Sequence, residues 1–298
     1  MLRLLASHRA LAVAGTAGAT ALASRMRLVH CSADSAPEPS QPPPGLEPPS
    51  TRPSAFSEDP EHNAEILEQW RTRIGEAREA FGRSDVDGAE RALLQAITDA
   101  EHFGRSSPPM ATSLLNLAQL YRRAGRLGEA EPLLARAAEV LETTAGPNNK
   151  VTLLALMDLA NTRLERGDAA AAASVFDDAL DRLEQAEAKQ PAGRLALRAV
   201  RAGCLLQAAK ADALIGRDAV AEARLRVAAE LVAERWGADS ARLVPPYLQL
   251  AALLFRGGRD EEARELCDRA ERHAETPAMR EQAGRVREAR GRDLPATK

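Results

Sequence analysis

Residues 116–141, NLAQLYRRAGRLGEAEPLLARAAEVL, contain two apolar helical patterns separated by one glycine. Before Gly125, Leu117 and Tyr121 recur at the four-residue spacing of a helix face, and after it Ala130 and Ala137 recur at seven. A glycine between two such patterns ends the first helix, because glycine adopts the left-handed conformation without strain. The stretch therefore predicts a helix–turn–helix unit.

This unit occurs five times along the chain. A lead alanine recurs at separations of 41, 42, 49 and 42 residues. Each lead alanine is followed by another alanine seven residues later and preceded by one twelve residues earlier. The lead alanines are Ala89, Ala130, Ala172, Ala221 and Ala263. A pattern that restarts in this way predicts a stacked solenoid, in which each unit buries its apolar face against its neighbours.

The recurring alanines indicate where helices approach closely, since a larger side chain there would overpack the contact at a cost of about 1–3 kcal/mol. Glycine stands five residues before four of the lead alanines, and Ser84 takes that place before the first. The 49-residue interval contains seven extra residues around positions 185–194. They predict either a longer helix pair or a protruding loop.

The amino-acid composition argues against a nucleic-acid partner, a disulfide framework and a zinc site. Forty basic and 43 acidic side chains give a net charge of -3, which leaves no overall basic surface for nucleic acid. We therefore expect no nucleic-acid partner. The three cysteines, Cys31, Cys204 and Cys267, have neither the number of a disulfide framework nor the paired spacing of a zinc site.

The first 33 residues carry four arginines and no acidic residue. A basic, acid-free and alanine-rich N-terminus is typical of an organelle import sequence. We expect residues 1–33 to target the mitochondrion, because arginine is dispersed and serine is scarce; a plastid transit peptide and a secretory signal are the alternatives. Residues 10–23 are shorter and less apolar than a bilayer-crossing helix. They leave open whether the segment is removed or gives a weak membrane association.

Residues 34–60 contain nine of the eighteen prolines and predict an extended, proline-rich linker. The solenoid of five repeats is assigned to residues 61–275. Residues 276–298 are assigned to a C-terminal capping helix and tail, because a thin apolar stripe there suits a helix that closes the last repeat.

The three alanine positions and the turn glycine resemble the tetratricopeptide repeat (TPR). The bulky position of that repeat is filled by Leu93, Leu134, Phe176, Leu225 and, as a departure, Cys267. The 42-residue spacing is similar to the longer repeats of kinesin light chains. The resemblance implies an all-α fold: a right-handed α-α superhelix, or TPR solenoid, of about five helix–turn–helix repeats plus a C-terminal capping helix.

In this family the first helices of successive repeats line a concave groove that holds a peptide or helix of another protein. The resemblance implies a partner groove that includes Asn116, Gln119, Arg122, Asp158, Asn161, Gln207, Lys210 and Gln249. Amides donate and accept hydrogen bonds, which suits an extended peptide read partly through its main chain; a solvated polar face is the alternative.

Chaperone-binding members of the family hold a C-terminal carboxylate with groove lysines. The corresponding positions here are mostly apolar: Leu115, Met157, Leu206 and Leu248. Loss of these cations removes the charge-assisted contacts that a carboxylate needs, so we do not expect chaperone-tail binding.

No catalytic, cofactor-binding or metal-ligating residue is predicted. The histidines lack the three- or four-residue helical spacing of a metal pair, and no phosphate-binding loop ending in Gly-Lys-Ser/Thr occurs. We therefore expect a non-enzymatic protein without a cofactor.

The leading hypothesis is a mitochondrial protein–protein interaction scaffold or assembly factor that binds a partner peptide or helix in the TPR groove. A kinesin-light-chain-like cargo adaptor and a plastid-resident TPR scaffold are the alternatives. The adaptor predicts a heptad coiled coil before the repeats, and the proline-rich residues 34–60 cannot form one. The partner's identity and the oligomeric state stay open.

Overall fold

A computed structural model describes residues 60–190 and 193–289. These ranges form α-helices joined by short turns, with a 3-10 turn at Ala241–Leu243 and no strand. The helices are α1 (Pro60–Gly82), α2 (Val86–Glu101), α3 (Pro108–Arg123), α4 (Leu127–Thr144), α5 (Lys150–Glu165), α6 (Ala169–Lys189), α7 (Arg194–Leu214), α8 (Asp218–Trp236), α9 (Val244–Arg256), α10 (Asp260–His273) and α11 (Pro277–Glu288). The prediction of an all-α fold is confirmed.

The predicted targeting segment, residues 1–33, lies outside the described residues. So do residues 34–59 of the proline-rich linker and residues 290–298 of the tail. Among the helices that are described, none is long and apolar enough to cross a membrane.

The chain divides into two compact units, Met1–Leu120 and Tyr121–Lys298. In the first unit α1 packs against α2, and the Trp70 indole N–H on α1 donates to Ser113 Oγ on α3 at 2.8 Å. In the second unit α5, α7 and α9 are the first helices of repeats three to five, and α6, α8 and α10 are their second helices. Each of these six helices packs against the next along the chain.

The recurring alanines are buried. All fifteen, three per repeat, are at most 4 % exposed. Because a protein interior is packed at crystal density, a methyl group at these positions lets the helix axes approach where a longer side chain would push them apart. The prediction of repeated close helix contacts is confirmed.

Each repeat turns at a left-handed residue. Gly125, Gly167, Gly216 and Gly258 have φ of 75°, 92°, 79° and 74°. After each of them a backbone N–H donates to a carbonyl five residues earlier, as Arg126 does to Tyr121 at 2.8 Å. This bond closes the end of the first helix. Ser84 takes the same role in repeat one with φ 62°.

The seven extra residues of the long interval lengthen helices. Helices α6 and α7 each have 21 residues, compared with 18 in α4 and 16 in α5. Of the two predicted explanations, the longer helix pair is the one observed. At the other end of this unit, α11 buries Ala283 completely against the core of α9 and α10, with Met279 and Val286 packed beside it.

Candidate partner-binding surface

Three first helices of the second unit lie side by side, because α7 packs directly against both α5 and α9. Over the second half of α7 the buried side chains are Ala202, Cys204, Leu205, Ala208, Ala209, Ala211 and Asp212. One stripe at helical spacing is not fully buried and consists of Gly203, Leu206, Gln207, Lys210, Ala213 and Leu214. Lys210 and Leu214 are exposed, whereas the other four are half-buried, and Leu206 and Ala213 pack against the core. We call these six residues the α7 stripe.

Three predicted groove amides lie on these three helices, and one of them, Gln207, belongs to the α7 stripe. Asn161 on α5, Gln207 on α7 and Gln249 on α9 are each half-buried. Within the described ranges, none of the three amides has a side-chain hydrogen-bond partner, so their donors and acceptors are open to a ligand or water. Lys210, in the α7 stripe, is exposed.

Two other predicted groove residues are already engaged with each other. Arg122 donates to Asp158 at 2.9 Å and to Glu165 at 3.0 Å. Desolvation by burial raises the pKa of the Asp158 carboxyl, and the charge of Arg122 opposes that shift. These ionic groups hold α5 to the end of α3 before any partner arrives. Their assignment to partner binding stays a prediction.

The remaining two predicted residues lie in the first unit. Gln119 is half-buried, whereas Asn116 is only 2 % exposed. Both amide atoms of Asn116 lack a hydrogen-bond partner in the described part of the chain. The resemblance implies a groove amide at this position, but the side chain is not on the protein surface. Its role in partner binding stays a prediction that would require neighbouring groups to move.

Charge is divided unequally between first and second helices of the second unit. Helices α5, α7 and α9 carry seven basic and three acidic side chains, while α4, α6, α8 and α10 carry nine basic and nineteen acidic ones. All three acidic groups on the first helices have arginine partners: Asp158 and Glu165 pair with Arg122, and Asp212 pairs with Arg224. The first helices therefore present no unpaired carboxylate.

A buried ionic cluster joins α6, α7 and α8, and nothing in the repeat pattern indicated it. Asp212 on α7 is fully buried and accepts from Arg224 on α8 at 2.6 Å. The same arginine reaches Asp177 on α6, and Arg217 lies 3.6 Å from Asp212. Desolvation raises the pKa of Asp212, and the charge of Arg224 opposes the rise. The sequence signal that could have indicated this cluster is Asp212, an acidic residue within the buried face of α7.

The described ranges contain no group of three His, Cys, Asp or Glu side chains placed to hold a metal ion. Cys204 and Cys267 are buried thiols. Desolvation raises the pKa of the Cys204 thiol to about 12, so it is protonated at neutral pH and is a poor nucleophile. The arrangement on α5, α7 and α9 is suited to contact with another molecule through apolar, amide and cationic groups.

Comparisons with known proteins agree with this architecture. Residues 109–185 match the tetratricopeptide repeat family. No curated protein matches the sequence. The solved structure of BtubC (BKLC) from P. vanneervenii is similar with a TM-score of 0.58 and 17% identity, covering 72% of this chain and 88% of that chain.

A second similar structure is that of a candidate kinesin light chain from Podosopora anserina with nearly identical TPR-like repeats. It has a TM-score of 0.51 and 21% identity, and the match covers 78% of this chain and 99% of that chain. At identities this low, the likeness establishes the fold alone.

Proposed function

Because the chain carries a tetratricopeptide-repeat solenoid, we propose that it is a non-enzymatic interaction scaffold or assembly factor that binds a segment of a partner protein on α5, α7 and α9. The observation that carries this proposal is the α7 stripe. It is the face of α7 that is not fully buried between residues 202 and 212.

The chemistry of the surface supports a protein ligand. Leu214, which is 40 % exposed, offers apolar area, and the half-buried Gln207 offers both a donor and an acceptor. An amide stands on each neighbouring first helix as well, at Asn161 and Gln249. Protein interfaces combine apolar contact with a few hydrogen bonds in this way, since apolar area supplies affinity and polar groups fix the position of the ligand.

A double substitution tests the surface. We expect Asn161→Ala with Gln207→Ala in the tagged full-length chain to lose co-purifying proteins that the unmodified chain retains, as measured by quantitative mass spectrometry. Gln282→Ala is the matched control, because Gln282 is an exposed amide on α11. Equal partner sets from the double variant and the unmodified chain would contradict binding on this surface.

We propose the mitochondrion as the compartment, on the strength of the basic, acid-free residues 1–33. A C-terminally tagged full-length chain should co-sediment with mitochondria and resist external protease. A cytosolic signal with an intact N-terminus would contradict import, and a plastid signal would favour the plastid alternative. Either result leaves the scaffold proposal standing, because the two rest on different residues.

A further inference from the structure

The extra residues of the long interval make one end of the α6–α7 pair project. Helix α7 begins fifteen residues before its recurring alanine, Ala209, whereas α5 begins ten residues before Ala160. Helix α6 ends seventeen residues after Ala172, whereas α4 ends fourteen residues after Ala130. Since a helix rises 1.5 Å per residue, this end reaches roughly 4–8 Å past the level at which α4 ends and α5 begins.

The projecting end presents an apolar side chain to solvent. Leu195, in the first turn of α7, is 62 % exposed, more than any other large apolar side chain in the described ranges. Leu197, two residues later, is buried, so the same turn is packed on its inner side. A single exposed leucine is ordinary on a protein surface, and its meaning therefore depends on the groups around it.

The end of α8 lies beside this turn. Arg198, one turn after Leu195, donates to Glu234 on α8 at 2.6 Å. Glu234 directly precedes Arg235 and Trp236, the last two residues of α8. The first turn of α7 and the last turn of α8 therefore form one edge of the second unit.

This edge is basic. Its four cations are exposed, and none has a carboxylate partner in the part of the chain that the structure describes: Lys189, Arg194, Arg235 and Arg242. Between α8 and α9, Asp239 is the one acidic residue. An anion that neutralises the four charges has to come from another molecule.

Two of these cations are held in place by an aromatic ring. Trp236 is half-buried against the apolar cluster between α7 and α8. The guanidinium carbons of Arg242 and Arg235 lie 4.5 Å and 5.2 Å from the centroid of its ring, within cation–π distance. A guanidinium fixed in this way offers paired N–H donors, which match the oxygen atoms of a phosphate.

We propose that this edge docks on an anionic lipid bilayer, with Leu195 inserted at the headgroup boundary and the four cations against lipid phosphates. Side chains of peripheral proteins are buried about 5–10 Å deep at such a boundary, which the projection of the α6–α7 end can supply. The inference goes beyond the proposed scaffold function and does not rest on it, because none of these residues belongs to the α7 stripe.

The distribution of apolar and basic groups favours a bilayer over an acidic protein. A protein ligand gains affinity from a packed apolar centre surrounded by polar groups. Here the exposed apolar group is one projecting leucine, and the cations are spread over three helix ends. A bilayer surface supplies many phosphates at one level and apolar chains just below them, so it suits this arrangement.

The first experiment reports the environment of position 195. The full-length chain carries an environment-sensitive fluorescent amino acid in place of Leu195, or in place of Leu214 as the control, which is 40 % exposed at the opposite end of α7. Vesicles consist of phosphatidylcholine alone or with about 30 % phosphatidylserine. We expect a blue shift of the emission from position 195 with the anionic vesicles only, and none from position 214.

The position-specific emission is decisive, because the basic residues 1–33 could attach the chain to vesicles by themselves. Vesicle binding without a shift at position 195, or with equal shifts at both positions, would overturn the docking edge. An equal shift with inorganic phosphate alone would overturn the bilayer in favour of a soluble anion. A shift caused only by a membrane-free cell extract would assign the edge to a macromolecular ligand instead.

The second experiment removes cations and follows the emission at position 195 against lipid concentration. Each cation near an anionic surface contributes about fivefold to partitioning, so Lys189→Ala with Arg194→Ala should weaken it about 25-fold. Arg264→Ala with Arg269→Ala is the matched control, because both are exposed arginines on α10 without a carboxylate partner in the described ranges. It should change partitioning less than about threefold. Equal effects of the two double variants would refute the proposal.

Discussion

Replacing Ser84 by glycine is expected to stabilise the first repeat. Ser84 has φ 62° at a turn where the other four repeats have glycine. The left-handed conformation costs an L-residue roughly 1–2 kcal/mol, and glycine loses about 0.5–1 kcal/mol more backbone entropy on folding than alanine. The difference is a gain of about 0.5–1 kcal/mol for Ser84→Gly. No side-chain contact offsets it, because the exposed hydroxyl has no partner within the described ranges.

The reverse change at an equivalent turn should have the opposite effect. Gly167 has φ 92°, and a Cβ there meets no atom within 4 Å. Gly167→Ala should therefore lower the free energy of unfolding by about 0.5–1 kcal/mol through backbone strain alone. Gly284→Ala is the control, since Gly284 is helical and equally open. It should stabilise by about 0.5–1 kcal/mol.

Urea unfolding of the full-length chain, followed by circular dichroism at 222 nm, measures all three variants. Hydrogen exchange of α1 and α2 amides adds a local measurement, because the stability of a repeat array is partly a property of each repeat. If Ser84→Gly lowered stability, or if Gly167→Ala behaved like Gly284→Ala, left-handed strain at the turns would not be the cause.

Three further predictions concern α8 and can be checked by urea unfolding. Ala221→Leu should lower the free energy of unfolding by about 1–3 kcal/mol, because it overpacks a fully buried site. Ala223→Leu is the control and should be nearly neutral, because Ala223 is exposed. Similar losses in the two variants would contradict a close helix contact at Ala221. Arg224→Met should lower the free energy of unfolding by about 3 kcal/mol, because it leaves the buried charge of Asp212 without its main partner. Adding Asp212→Leu should recover most of that loss. A double variant no more stable than Arg224→Met would refute this explanation. Hydrogen bonds from arginines lower the pKa of Glu222 below its ordinary value of 4.5, so its charge stabilises the fold above about pH 4.5 and this contribution disappears as pH falls through the folded pKa. The destabilisation by Glu222→Gln should accordingly be present at pH 7 and should decrease as the pH is lowered below 4.5.

Local geometry could be predicted closely from the sequence. A left-handed turn admits few residues, so Gly125, Gly167 and their equivalents predicted where each first helix ends. A close helix contact admits only a small side chain, so the alanines predicted which faces are buried. The long interval before α7 was ambiguous, because extra residues can extend either a helix or a loop. Only the formed helices show that they extend α6 and α7.

The candidate site was less accessible to sequence reasoning. The resemblance treated Asn116, Arg122 and Asp158 alike as groove residues. In the structure Asn116 is buried, and Arg122 pairs with Asp158 across 36 positions of sequence. Side-chain pairing and exposure depend on how neighbouring helices pack and on which long side chains reach one another. Neither follows from a residue's register in its own repeat.

By itself the sequence determined the repeat, its turns and its buried faces, because these depend on steric limits that act within a few residues or recur identically in each unit. Tertiary structure decided which polar groups are available for binding. Arg122 and Arg224 are engaged with carboxylates from other helices, while Lys210 and Gln207 lie open on α7. Ionic pairing is a property of three-dimensional proximity, since opposite charges interact strongly only within a few ångströms.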